Sequence, residues 1–122
     1  MTKPEVKKLL VGKGGLIGYL GTSDVREIMS TIKKDQKANL IIHAMAYQIA
    51  KEIGAMYFAN NCKCDQLIFT GGIAYNKEFI EMLKKHVNKT IPITVYPGED
   101  ELLALATAGV RVLTKKEKAK TY

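Results

Sequence analysis

The chain has 122 residues, 47% of them hydrophobic, enough for one domain core and too few for two ordinary domains. Lys and Arg total 19 against 12 Asp and Glu, a net charge of +7, but the excess lies largely at the ends, in Lys3, Lys7, Lys8 and in Lys115, Lys116, Lys118 and Lys120. With only Arg26 and Arg111 as arginines, no Trp and no basic–aromatic interleaving, this is the pattern of solvated charge rather than of a nucleic-acid surface.

Pro4 sits well in a first helical turn, so residues 4–11 are predicted as a short helix. Residues 13–22, KGGLIGYLGT, hold four glycines in ten positions and read as a loop or irregular strand. Ser23 or Asp24 can cap a helix over residues 25–34 that buries Ile28, Met29 and Ile32. A long helix over residues 37–60 follows. Ala38, Ile41, Ile42, Met45, Ile49, Ile53 and Met56 keep helical spacing there, and Leu40, Ala44 and Ala46 widen the stripe, so cover is expected on more than one side. Its methionines are core filler.

A short buried strand over 66–70, an amphipathic helix over 77–88 and a second strand over 92–96 form a strand–helix–strand unit, which predicts parallel strands. Pro97-Gly98 ends the second strand. Residues 99–113 make a last helix with acidic residues at its positive end. The fold class is therefore α/β and helix-rich. One domain over 1–122 is expected, with 114–122 as a basic, flexible tail. Two strands alone are marginal, so the chain reads as part of a larger domain. Their open edges and the broadly apolar long helix predict self-association, through the helix of residues 37–60.

The most informative stretch is LIFTGGIAYN, residues 67–76. Paired glycines at the carboxyl end of a strand let backbone approach a ligand without Cβ interference, and that end of an α/β sheet is where ligands sit. A plain tight corner fits the spacing equally well. Cys62 and Cys64 make a poor disulfide framework, which suggests a reduced setting. His43 and His86 lie in predicted helices without ligand spacing, so zinc is not expected. No leader-like segment or membrane-length apolar run is visible, and the expected location is the cytoplasm.

Four segments in order, KGGLIGYLGTSDVREI, HAMAYQIAKEIGAM, LIFTGGIAYNKEFIEML and VYPGEDELLALATAGVRVL, resemble the C-terminal part of the butyrate kinases. These enzymes are in the acetate kinase branch of the actin–hexokinase ATPase superfamily. The resemblance implies an incomplete ribonuclease-H-like domain. It also implies an ATP-dependent carboxylate kinase that moves a phosphoryl group between ATP and a short-chain fatty acid, giving butanoyl phosphate or, in reverse, ATP. Gly71, Gly72, Ile73, Ala74, Tyr75 and Asn76 resemble the family's adenosine motif. Asp24, Val25 and Arg26 resemble an Asp-Phe-Arg stretch lining the nucleotide pocket, with Val25 in place of Phe. Asp100 and Glu101, after Glu99, resemble a stretch that binds Mg²⁺, which needs few protein carboxylates. By residue chemistry alone Asp24 is a helix cap, and the acidic run equally complements a helix N-terminus.

The family's phosphate-binding hairpins and its catalytic Arg and His fall outside the resembling region, so no catalytic residue is assigned and the chain alone is expected to be inactive. A fragment of the kinase, as a truncated gene product or an excised piece, is one reading. A non-catalytic nucleotide-binding or interaction module built on the same scaffold is another, pairing with itself or with a separate N-terminal portion. A basic nucleic-acid binder is the third.

Overall fold

The structure is a computed structural model and describes residues 1–87, 91–98 and 100–120. The predicted helix end at Asn88, the predicted helix start at Glu99 and the last two tail residues lie outside the described residues.

The chain opens with helix α1, Lys3–Lys8, whose cap is a reciprocal pair: Glu5 accepts from the Thr2 backbone N–H, with Pro4 in the first turn. A wide turn over Leu9–Lys13 leaves helical geometry at Val11 and Gly12. Helix α2, Gly15–Leu20, occupies the stretch expected to be a loop or irregular strand. Its glycines serve close packing. A Cβ on Gly14 would lie 2.1 Å from the Leu9 carbonyl oxygen, and one on Gly18 would lie 2.9 Å from that of Lys13. Leu16 and Leu20, four apart, pack against the core, and Gly21 at φ 78° ends the helix in the left-handed conformation.

Helix α3, Val25–Thr31, starts at Asp24 and buries Ile28 and Met29, and Ile32 is buried just beyond its end. Helix α4, Gln36–Ala59, is capped by Asp35, whose carboxylate accepts from the Ala38 N–H at 3.0 Å. Ala38, Ile42 and Ala46 form its buried line, four residues apart, whereas Leu40 and Ala44 are exposed. The buried stripe of α4 is thus narrower than its apolar pattern, with α2, α3 and α5 (Lys77–His86) against it, and Tyr47, Met56 and Phe58 are exposed as well.

Strands β1, Leu67–Gly71, and β2, Ile93–Pro97, pair in parallel with Leu67 opposite Ile93 and Gly71 opposite Pro97. This is the predicted pair, joined through α5. One face carries Phe69 and Val95 onto the core, where α5 contributes Phe79, Ile80, Met82 and Leu83. The other face carries Ile68, Thr70, Thr94 and Tyr96, and Ile68 and Tyr96 are exposed. Helix α6, Glu101–Leu113, follows, and none of its residues is buried. No helix among the described residues is long and apolar enough to cross a membrane.

Candidate functional site

Between β1 and α5 the chain makes a 3-10 turn, Gly72–Tyr75, and the glycine pair divides its work there. Gly71 takes φ 80° and ψ −175°, a conformation essentially confined to glycine. It is therefore Gly71, rather than Gly72, whose backbone conformation demands a missing side chain. Gly71 also exchanges both main-chain hydrogen bonds with Gly98, at 3.2 and 3.3 Å, tying the carboxyl ends of the two strands together.

Gly72 lines a cleft of about 530 Å³ with Ile73, Tyr75, Ser23, Asp24, Val25 and Arg26, within the usual range for a small-molecule site. The fold thus brings together two stretches nearly fifty residues apart that sequence reasoning had selected separately. Val25 and Ile73 supply apolar wall, the exposed Tyr75 an aromatic face, and Arg26 a guanidinium. Asp24 turns its carboxylate to the main chain, accepting from the N–H groups of Arg26 at 2.8 Å and Glu27 at 3.4 Å. The hydrogen bond from the Arg26 N–H, more than any other cause, lowers the Asp24 pKa from its ordinary value of 3.8. Arg26 Nε lies 3.6 Å from the same carboxylate, an exposed ion pair beside the cleft. Asp24 is the helix cap that residue chemistry favours, and Thr22 Oγ1 accepts from its backbone N–H.

Gly71 faces a second cleft of about 640 Å³, lined by Thr70, Tyr96, Pro97, Gly98, Asp100, Glu101 and Ala104. Consecutive glycines therefore front two neighbouring clefts. Asp100 stands at the N-cap of α6 without bonding the helix through its side chain, which leaves the carboxylate available. No cluster of three or more His, Cys, Asp or Glu suited to a metal occurs among the described residues. A closed protein cage is thus not formed. Mg²⁺, which takes one or two carboxylates plus water and phosphate oxygens, is the ion this donor set suits.

Two of the expected site residues line neither cleft, though both adjoin the Gly72–Tyr75 turn. Ala74 is buried in the core at 2% exposure, so its side chain is packing. Asn76 caps α5, its Oδ1 accepting from the Phe79 N–H at 2.9 Å, and its amide NH₂ group remains as a donor. Sequence reasoning missed Ser23 as cleft wall and passed over Gly98 as a strand breaker. At φ 124°, with a Cβ that would stand 3.0 Å from Tyr75 Oη, Gly98 lets the Tyr75 ring lie across the corner. His43, His86, Cys62 and Cys64 are exposed and away from both clefts, and His86 meets Tyr47 edge to face at 5.8 Å.

Comparison with known proteins finds relatives along the whole chain. The chain is 49% identical over 122 residues to a probable butyrate kinase of Clostridium botulinum (strain Alaska E43 / Type E3), covering 99% of this chain and 34% of the relative. It is 43% identical to butyrate kinase 2 of Clostridium acetobutylicum, again over 34% of that protein. The chain thus spans about a third of the length of the curated relatives it matches. Among solved structures, a propionate kinase from Francisella tularensis subsp. tularensis SCHU S4 superposes with a TM-score of 0.66 at 26% identity, over 84% of this chain and 33% of that one. The profile of the acetokinase family matches residues 1–121, and the chain belongs to that family.

Proposed function

We propose that this chain forms the adenosine-binding wall of a butyrate kinase, which transfers phosphoryl from ATP to butanoate to give butanoyl phosphate. The observation that carries the reading is the meeting of Asp24, Val25 and Arg26 with Gly72, Ile73 and Tyr75 in one cleft beside the carboxyl end of β1. Val25, Ile73 and Tyr75 hold the base between apolar and aromatic surfaces. Gly72 admits the ribose close to the main chain, and the Asn76 NH₂ group donates to it. Arg26, steered by Asp24, faces the nucleotide's negative charge. Asp100 and Glu101 in the adjoining cleft hold Mg²⁺, which neutralises phosphate charge when bound.

The groups that position and stabilise the transferring phosphoryl belong to the part of the kinase that these residues do not span. ATP or ADP with Mg²⁺ is the ligand, and the remainder of the kinase or a further copy is the protein partner. The cytoplasm is the matching location, since it supplies ATP and keeps Cys62 and Cys64 reduced.

Calorimetric titration of the chain with ADP and Mg²⁺ tests the site. Saturable binding is expected, weakened at least about tenfold, or 1.4 kcal/mol, by Gly72→Val, whose side chain fills the approach. Unchanged affinity in that variant overturns the placement. In a butanoyl phosphate assay the chain alone is expected to give no turnover above a protein-free control.

A further inference from the structure

We infer that Tyr75 is a positioning residue that joins the two clefts: its ring backs the nucleotide cleft, and its hydroxyl oxygen accepts from a water on the divalent cation held at Asp100. This rests on the proposed reading of both clefts and adds the side chain through which they act on one ligand.

The turn after β1 sets Tyr75 apart from its neighbours. Within Gly72–Tyr75, Ala74 points inward and is 2% exposed, whereas Tyr75 is 65% exposed. The ring lines the cleft that also holds Asp24, Val25 and Arg26. As aromatic wall alone a Phe would serve equally, so the hydroxyl is the part without a role in base binding. Among the described residues that hydroxyl makes no hydrogen bond.

Gly98 shows where the hydroxyl lies. A Cβ on Gly98 would stand 3.0 Å from Tyr75 Oη, and the same point is 4.0 Å from Asp100 Oδ2. Phenol and carboxylate thus converge on one glycine, the residue whose main chain is tied to Gly71. Asp100 occupies the N-cap of α6 without a side-chain bond to the helix, and it lines the second cleft beside Glu101.

Coordination chemistry suits that spacing. Mg²⁺ binds oxygen at about 2.0–2.1 Å, takes one or two carboxylates and keeps several waters. From the carboxylate through ion and water to the phenol runs a path of two such bonds and one hydrogen bond of about 2.8 Å, which spans the gap these distances permit. The ion draws charge off its waters and strengthens them as donors, and the phenol oxygen is a ready acceptor. Direct ligation by a neutral phenol is the poorer arrangement, since Mg²⁺ gives up its waters reluctantly. A hydroxyl in this outer position orients the ion toward the phosphates of a nucleotide whose base rests on the same ring.

The experiment titrates the full chain with Mn²⁺, which accepts the oxygen ligands of Mg²⁺. Electron spin resonance counts the free ion, and nuclear magnetic resonance of the tyrosine rings reads proximity to the bound one. Mn²⁺ is expected to broaden the Tyr75 ring signals, assigned by their absence in Tyr75→Phe, and to spare them in Asp100→Asn. Tyr75→Phe should weaken Mn²⁺ binding at least about fivefold. Its urea midpoint should match that of the parent, because the hydroxyl bonds nothing in the protein, and this separates holding the ion from upkeep of the fold. The inference is overturned by Tyr75 signals that Mn²⁺ spares, by a smaller loss of affinity, or by a loss that comes with a lowered midpoint. An Asp100→Asn variant that binds Mn²⁺ as the parent does removes the metal reading and the inference with it. ADP titration of the parent in metal-free buffer judges the adenosine reading by itself, so the two failures are told apart.

Discussion

At Asn76 one amide serves two purposes, and the two can be separated. Its oxygen caps α5 through Phe79, and its NH₂ group is the proposed donor to the nucleotide. Asn76→Ala is expected to cost about 1 kcal/mol in urea unfolding through loss of the cap. Asn76→Asp keeps an acceptor and most of that stability, yet removes both donors and should weaken ADP binding in calorimetry. Asp24 gives a pH test. Its folded-state pKa lies below the ordinary 3.8, so the stability it lends to α3 is present above that value and disappears as pH falls through the folded pKa. Acid titration followed by circular dichroism should therefore show a contribution below pH 3.8 that is absent in Asp24→Asn. Gly98→Ala combines a left-handed φ with crowding of Tyr75 Oη. It should destabilise by about 1–3 kcal/mol and displace the ring from the corner, seen as changed tyrosine fluorescence on ADP addition. Sequence singled out Gly71-Gly72 but could not say which glycine the backbone needs. That depends on the peptide plane after β1, which spacing does not encode.

Elements announced by apolar periodicity were legible, whereas those built on glycine were not. In α5, Phe79, Ile80 and Leu83 repeat at helical spacing and are buried as a group. Phe79→Ala should cost about 3–5 kcal/mol in chemical denaturation, since Phe79 has no exposed surface to relax into. Helix α2 was hidden because glycine is read as a breaker, while Gly14 and Gly18 serve contacts with carbonyls at Leu9 and Lys13. Only the Leu16 and Leu20 pair, two positions in six, signalled a helix there. On α4 only part of the apolar pattern is buried within this chain. Leu40 and Ala44 belong to its apolar pattern yet face solvent in this chain. Without cover, α6 has a length at which isolated helices are marginal. Warming the chain should melt it gradually, ahead of the cooperative loss of the core, and residue-specific carbonyl shifts would show the two stages.

On the scale of the molecule, pattern and turn chemistry revealed an α/β unit too small to stand as an ordinary sheet. They also revealed both stretches of the proposed site. What they could not supply was the distance between residues 23–26 and 72–75, which arises only when α3, α4 and β1 close on a common core. Exposed apolar side chains lie on α4, at Leu40, Tyr47, Met56 and Phe58, and on α6, at Leu102, Leu103, Leu105 and Leu113, because a sequence shows which helices are apolar and not which faces the fold covers. If ADP with Mg²⁺ binds only the folded chain, as the proposed function requires, the unfolding midpoint should climb with its concentration, following mass action.

The reciprocal bonds between Gly71 and Gly98 have a consequence for how the two clefts communicate. Both bonds are main chain to main chain, so a ligand that shifts Gly72 on one side draws on the segment leading to Asp100 on the other. Occupancy by nucleotide and by divalent ion should accordingly be linked, each changing affinity for the other by the same factor. An ester in place of the Gly98 amide, which deletes one of the two donors, should weaken the linkage.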